Sequence, residues 1–304
     1  MKVWREATQV YAEMERLRAA GRRCALATLT RVKGSAYRRP GARLLIRDDG
    51  SWLGNVSGGC LESDLRERAQ RVIASGQPES VHYVTGGDTE VAWGLGLGCN
   101  GELDLWLEPG PVAGSADLLQ RLAGEDPITV TAGEFSRTLA PPPHLIVAGA
   151  GDDAVPLVRY AAEAGFRVWV LDHRPAWLRD ELFPDAWQRR RARPEQPPAD
   201  LPRGERVLAV VKNHHLEIDR AWAAVLAAAD VRYLGLLGPR ARRDHILASL
   251  PDEARVRCHG PAGLDIGAEG PEQIAISIVA ELLAAWTGRG AGFLRDRTAP
   301  LHTP

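Results

Sequence analysis

The run HLIVAGAGDDAVPLVRYAAEAGF, residues 144–166, limits the possible folds more than any other stretch. A continuous apolar strand enters Gly149-x-Gly151-x-x-Ala154, and apolar residues then recur at helical spacing. Pro156 is tolerable there only in the first turn of a helix. The segment RVWVLD follows and closes on Asp172, 21 positions after Gly151 (172 − 151). RVLAVV and VRYLGLLG are further short apolar strands, separated by the helical pattern EIDRAWAAVLAAA. Strands alternating with helices predict a doubly wound parallel sheet of Rossmann type.

In that sheet Gly149, Gly151 and Asp172 would shape a nucleotide crevice, with Asp172 near the spacing of a ribose-binding acid. One reading is therefore an NAD(P)-dependent oxidoreductase. Asp152 and Asp153 oppose it, because their charge repels a pyrophosphate; they are also suited to cap the helix. His214 and His215 follow one strand, and Arg240, Arg242 and Arg243 follow another. Together they would make a second anion site, and separately they read as capping or exposed residues. The Arg- and Pro-rich stretch 189–204 reads as an exposed loop, PEQIAISIVAELLAAW as a largely buried helix, and 288–304 as a loose tail.

The first half has another character. Residues 1–21 read as an amphipathic helix, RCALATLTRV as a buried strand, RLLIRDDGSWLGNV as two strands about a turn, 60–75 as a helix stopped by Gly76, and 79–84 and GELDLWLEP as strands. The expected organisation is an α/β domain over 1–131, a proline-rich linker over 132–143, a Rossmann-like domain over 144–287 and the tail.

Three constellations stand in the first domain. In Ser57-Gly58-Gly59-Cys60, Ser57 could cap a helix starting near Cys60, the glycines admit a ligand to the backbone, and the helix field favours a thiolate. A structural turn holding a small buried cysteine fits the same residues. In GLGLGCNGELDL, Gly98 and Cys99 lie among further glycines, either for close approach of a ligand or for a bulged loop. In KGSAYRRPGARL, Lys33, Ser35, Arg38 and Arg39 offer cations and a hydroxyl to a phosphate, or form a solvated loop.

Composition removes some classes. With a net charge of −1 there is no global field for nucleic acid or an anionic membrane, and no apolar run is long enough to span a bilayer. The first residues lack the uninterrupted apolar core of a secretory signal. Four cysteines without a CxxC pair or zinc-like spacing read as reduced thiols, and the cytoplasm is the expected location.

GSAYRRPGARL, GNVSGGCLE, GLGLGCNGELDLWLEP, VAGAG, VLDHRP, HHLEID, YLGLLGPRARR and GLDIGAEGPEQIAISIVAEL occur in this order. The set resembles the xanthine dehydrogenase accessory (XdhC/CoxI) family over about residues 10–287. The resemblance implies a maturation factor rather than a catalyst of its client's reaction. Such a factor binds the molybdenum cofactor, as molybdopterin or its cytosine dinucleotide, and assists installation of its terminal sulfur. It then delivers the cofactor to a molybdenum hydroxylase of the xanthine or carbon monoxide dehydrogenase type. A cysteine desulfurase and a second copy of the chain are the other implied partners. On this reading Cys60 and Cys99 meet the metal or sulfur end of the cargo, and Lys33, Arg38 and Arg39 its phosphate. The chain departs from the family pattern at Ala36-Tyr37, Asn100, Asp152-Asp153 and Lys212-Asn213.

Overall fold

A computed structural model describes residues 1–34, 36–84 and 101–298 and divides the chain into two compact units, Met1–Pro141 and Pro142–Pro304.

The first unit is an antiparallel sheet in the order β3-β2-β1-β5-β4. Its strands are β1 (Cys24–Gly34), β2 (Arg43–Arg47), β3 (Trp52–Gly54), β4 (Glu79–Val84) and β5 (Gly101–Gly110). Helix α1 (Lys2–Ala19) covers one face by burying Trp4, Ala7, Val10, Tyr11, Met14 and Leu17 against Cys24, Leu26 and Leu45. Helix α2 (Glu62–Ser75) covers the other with Leu65, Ala69, Val72 and Ile73 against Ala25, Ala27, Leu29 and Leu105. A strand covered on both faces reads as an unbroken apolar run, which is why CALATL lacks alternation. Gly76, left-handed at φ 68°, ends α2 as expected. Helix α3 (Ser115–Leu122) and the hairpin β6 (Ile128–Ala132) and β7 (Phe135–Leu139) are the remaining elements of this unit among the described residues. The segment expected as a spacer, 132–143, thus contains a paired strand, and the unit boundary falls between Pro141 and Pro142.

The second unit is a six-stranded parallel sheet in the order β10-β9-β8-β11-β12-β13. The strands are β8 (His144–Ala148), β9 (Arg167–Asp172), β10 (Gln188–Arg191), β11 (Val207–Val211), β12 (Tyr233–Leu236) and β13 (Cys258–His259). This is the doubly wound Rossmann order, which reverses between β8 and β11. Helices α4 (Ala154–Ala164) and α8 (Gly270–Thr287) pack together. Helices α5 (Leu216–Ala228) and α6 (Arg240–Leu247) form a second packed pair, with the short α7 (Asp252–Arg255) after them.

Two expectations are corrected. Residues 188–191 are not loop but the edge strand β10, whose arginines leave the backbone free to pair with β9. Helix α8 is only half covered: Ala275, Ile278 and Leu282 are buried, while Ile274 and Ile276 face solvent. No helix among the described residues is long and apolar enough to cross a membrane.

Candidate functional site

The turn before α2 carries its own anion. The helix begins at Glu62, two residues later than expected, with Leu61 as its cap residue. The Glu62 carboxylate turns back and accepts from the backbone N–H groups of Val56 (3.3 Å), Ser57 (3.2 Å), Gly59 (3.0 Å) and Leu61 (3.2 Å), and from Ser57 Oγ (2.5 Å). Ser57 Oγ also accepts from Leu61 N–H at 2.9 Å. The free backbone donors expected to meet a ligand's anion are therefore taken by Glu62. Burial pushes its carboxyl up, but the combined hydrogen bonds outweigh it and hold the group below the ordinary carboxylate range. The reach of Glu62 back to Gly59 spans three residues, but Glu62 is the first helical residue and not the third, so no ordinary capping box announces it in the sequence.

What remains for a ligand is the outer surface of the turn. Gly58, Gly59 and Cys60 are exposed, so Cys60 is a surface thiol and not the buried cysteine of the structural alternative. Gly58 stands at φ +86°, and a Cβ there would lie 3.2 Å from the ring of Tyr37. That contact brings the basic loop to the glycine turn.

The loop's cations divide sharply. Arg38 is nearly buried and ion-paired to Glu6, whose other oxygen accepts the Arg43 N–H at 2.6 Å. It is thus an anchor of the loop, spent on Glu6 and not on a phosphate. Lys33 pairs with Glu102 across β1 and β5 at 2.7 Å, on an exposed surface where the pair leaves the amine accessible. Arg39 is exposed, with no ion pair among the described residues. Ser35, Gly98 and Cys99 lie outside the described residues, and with them the expectation that Cys99 and Cys60 meet the same end of a ligand.

In the second unit the fingerprint turn is also filled from within. Asp172 is completely buried at the end of β9. It accepts from Ala150 N–H (2.9 Å) and Arg174 N–H (2.8 Å), and Arg174 grips both its oxygens (3.0 and 2.9 Å). Burial raises its pKa, but these donors outweigh burial and lower it. The expected ribose acid is therefore a structural lock on the glycine turn. Gly149 is obligatory because a Cβ there would stand 2.6 Å from Lys212 O.

Asp153 occupies the cap position of α4 but makes no capping hydrogen bond. Its oxygens face Lys212 Nζ at 2.5 Å and His214 Nε2 at 3.1 Å. Lys212 is 2% exposed, at the point between β8 and β11 where the strand order reverses. Burial lowers the amine's pKa and Asp153 only partly restores it, while Lys212 and His214 hold Asp153 below the usual carboxylate range. His214 is exposed and left-handed at φ 59°.

The second expected anion site is largely self-satisfied. Arg242 is committed to the buried Asp219 at 2.5 Å, which also fixes Asn213 N–H at 2.8 Å. Arg243 is held by Asp244 and Gly260 O. Arg240 alone of the three projects into solvent without a partner among the described residues. Sequence reasoning missed Lys212 and Asp219 as partners, since 59 positions separate Lys212 from Asp153. No cluster of three or more potential metal ligands occurs among the described residues.

Comparison with known proteins places these features in a lineage. Residues 17–84 match the model of the XdhC and CoxI family, and residues 145–282 match the XdhC Rossmann domain. A probable xanthine dehydrogenase subunit of Bacillus subtilis is 31% identical, over 85% of this chain and 92% of its own length. A molybdenum cofactor insertion chaperone, PaoD of Escherichia coli, is 33% identical over 88 residues, 29% of this chain and 27% of its own. The crystal structure of a xanthine dehydrogenase from Bacillus halodurans superposes with a TM-score of 0.78 at 29% identity, covering 93% of this chain and 98% of that one. Matched along both units, and by a relative that spans most of its length, the chain belongs to the XdhC and CoxI family.

Proposed function

We propose that the protein is an accessory factor that binds the molybdenum cofactor, assists its sulfuration and delivers it to a molybdenum hydroxylase of the xanthine or carbon monoxide dehydrogenase type. The observation that carries this is the exposed Cys60 on the outer face of a glycine turn already made rigid by Glu62. A soft thiol on a fixed turn suits a cargo whose reacting end holds a soft metal and a labile sulfur. Arg39 on the loop after β1, and Lys33 near the end of β1, are accessible cations for the cargo's phosphate. A cysteine desulfurase would supply the sulfur, and the client hydroxylase and a second copy of this chain are the other partners of the reading.

The oxidoreductase alternative is disfavoured by the second unit. A dinucleotide would have to displace Asp153 from Lys212 and His214 and find its ribose acid already committed to Ala150 and Arg174. The cytosine dinucleotide form of the cofactor meets the same obstacle, so molybdopterin itself is the preferred cargo.

The test is molybdenum and oxidised-pterin content of protein purified from molybdenum-replete cells, followed by reconstitution of an apo-hydroxylase. Stoichiometric cofactor and client activation that is lost in Cys60→Ala support the reading. Protein free of both metal and pterin, with no stimulation of the client, refutes it.

A further inference from the structure

Tyr37 is 65% exposed, yet its ring is not adrift. It lies against the bare backbone of Gly58, where an added Cβ would come within 3.2 Å of Cδ1 and 3.4 Å of Cγ. One residue later the Arg38–Glu6 ion pair ties the loop to α1. Beneath the ring, the turn is tied by the donors converging on Glu62. Beside it Gly59 leaves open space, with nothing among the described residues within 4 Å of the place a Cβ would take, and Cys60 follows on the surface.

An aromatic ring set against a glycine backbone on one side, with two thirds of its surface open, offers a stacking surface whose ordering cost is partly met before any ligand arrives. We propose that Tyr37 is the stacking platform for a planar heteroaromatic ring, which under the reading above is the pterin of the cargo, stacked on the open side of the tyrosine at the turn that carries Gly59 and Cys60. Glycine is then required at 58 and 59 for two reasons: Gly58 makes room for the tyrosine, and Gly59 leaves the slot alongside it open. Arg39, two residues further along the loop and free of ion pairs among the described residues, supplies a cation for an anionic arm on the same ring.

The experiment is a fluorescence titration of the full-length protein with pterin-6-carboxylate, beside a molybdenum assay of the protein as purified. Tyr37→Phe keeps the π-face and should bind within twofold of the unaltered protein. Tyr37→Ala and Tyr37→Leu should each bind roughly five- to tenfold more weakly, the size of one stacking contact. Leucine still covers Gly58, so a loss in both variants assigns the effect to the aromatic face and not to an uncovered turn. Because the ring is exposed, both variants should melt within a degree or two of the parent. Equal binding by all four proteins, or no saturable binding by the unaltered one, overturns the platform. If the unaltered protein nevertheless carries molybdenum, the carrier reading stands without it. If the titration behaves as expected but neither molybdenum nor client activation is found, the platform stands and the carrier reading falls.

Discussion

The two glycine turns of this chain solve one problem by different means. Each leads into a helix, and each has its backbone donors met by the protein's own carboxylate. In the first unit that carboxylate is local: Glu62 lies three residues beyond Gly59 and serves a turn seven residues long, 56–62. In the second it comes from elsewhere: Asp172 reaches Ala150 from the end of the neighbouring strand, and Lys212 reaches Asp153 from a third. The local solution leaves the outside of the turn bare, with Cys60 on it. The distributed one fills the crevice that the glycines would otherwise open. Similar glycine motifs thus have opposite exposures, and the turn left open to solvent is the one whose anion is supplied by its own helix.

The widest predicted difference is in thiol chemistry. Cys60 should be alkylated in the native protein, whereas Cys24, buried in β1 with its thiol pushed up to about 11 by burial first of all, should react only through unfolding. Peptide-level alkylation kinetics should separate them by roughly a thousandfold or more, the rarity of the unfolded state. Comparable rates would mean that the turn shields its cysteine after all. Next comes Glu62→Ala, which strands the buried Val56 N–H and the half-buried N–H groups of Ser57 and Gly59 and should lower stability by about 2 kcal/mol. Hydrogen exchange should speed up across 56–62 while the fingerprint turn stays protected. Asp172→Asn removes one charge but keeps an acceptor and should cost about 2 kcal/mol, with exchange rising at Ala150 and Arg174. An exchange response that does not follow this division would erase the local-versus-distributed distinction.

Both carboxylates are held below their ordinary pKa, so both should make stability fall with acid. Their contribution is complete above the unfolded values near 4, where the unfolded chain begins to take up protons first, and it is lost as the pH drops through the folded values. The stability gap between the parent and Glu62→Gln should therefore narrow between pH 6 and about 3 in denaturant titrations; a constant gap would remove the charge from the explanation. The smallest effect concerns the filled crevice. Asp153→Asn frees Lys212 and His214 to meet phosphate and should tighten the weak binding of NAD by up to about tenfold by calorimetry. No gain would mean that charge is not what closes it.

The Rossmann sheet was legible because parallel strands covered on both faces must be continuous apolar runs, as HLIVA and RVLAVV are. Strand β10 was not, because QRRR contributes hydrogen bonds and no apolar pattern. At the candidate site, glycine and cysteine marked the right turn, but charge was read by sign alone. Arg38 looked like a phosphate ligand, since nothing local reveals Glu6, 32 positions away, as its partner. Glu62 itself supplies the anion of its turn, which the sign of its charge does not reveal. Composition shows which charges exist; only packing shows which have already been neutralised.

The arginine-bearing strand β10 also bears on how copies of the chain meet. It is an outer strand of the parallel sheet, and its opposite counterpart, β13, is two residues long. An outer strand with open hydrogen-bonding groups invites strand-to-strand polymerisation, which a row of like charges discourages and a very short strand barely permits. Copies of this unit approaching rim to rim would meet the long side chains of Arg189, Arg190 and Arg191, the first two tied to Asp180 and Asp200, or a two-residue template. The Rossmann unit is thereby guarded against growing into a fibre at either rim, so that its sheet ends where the chain ends it.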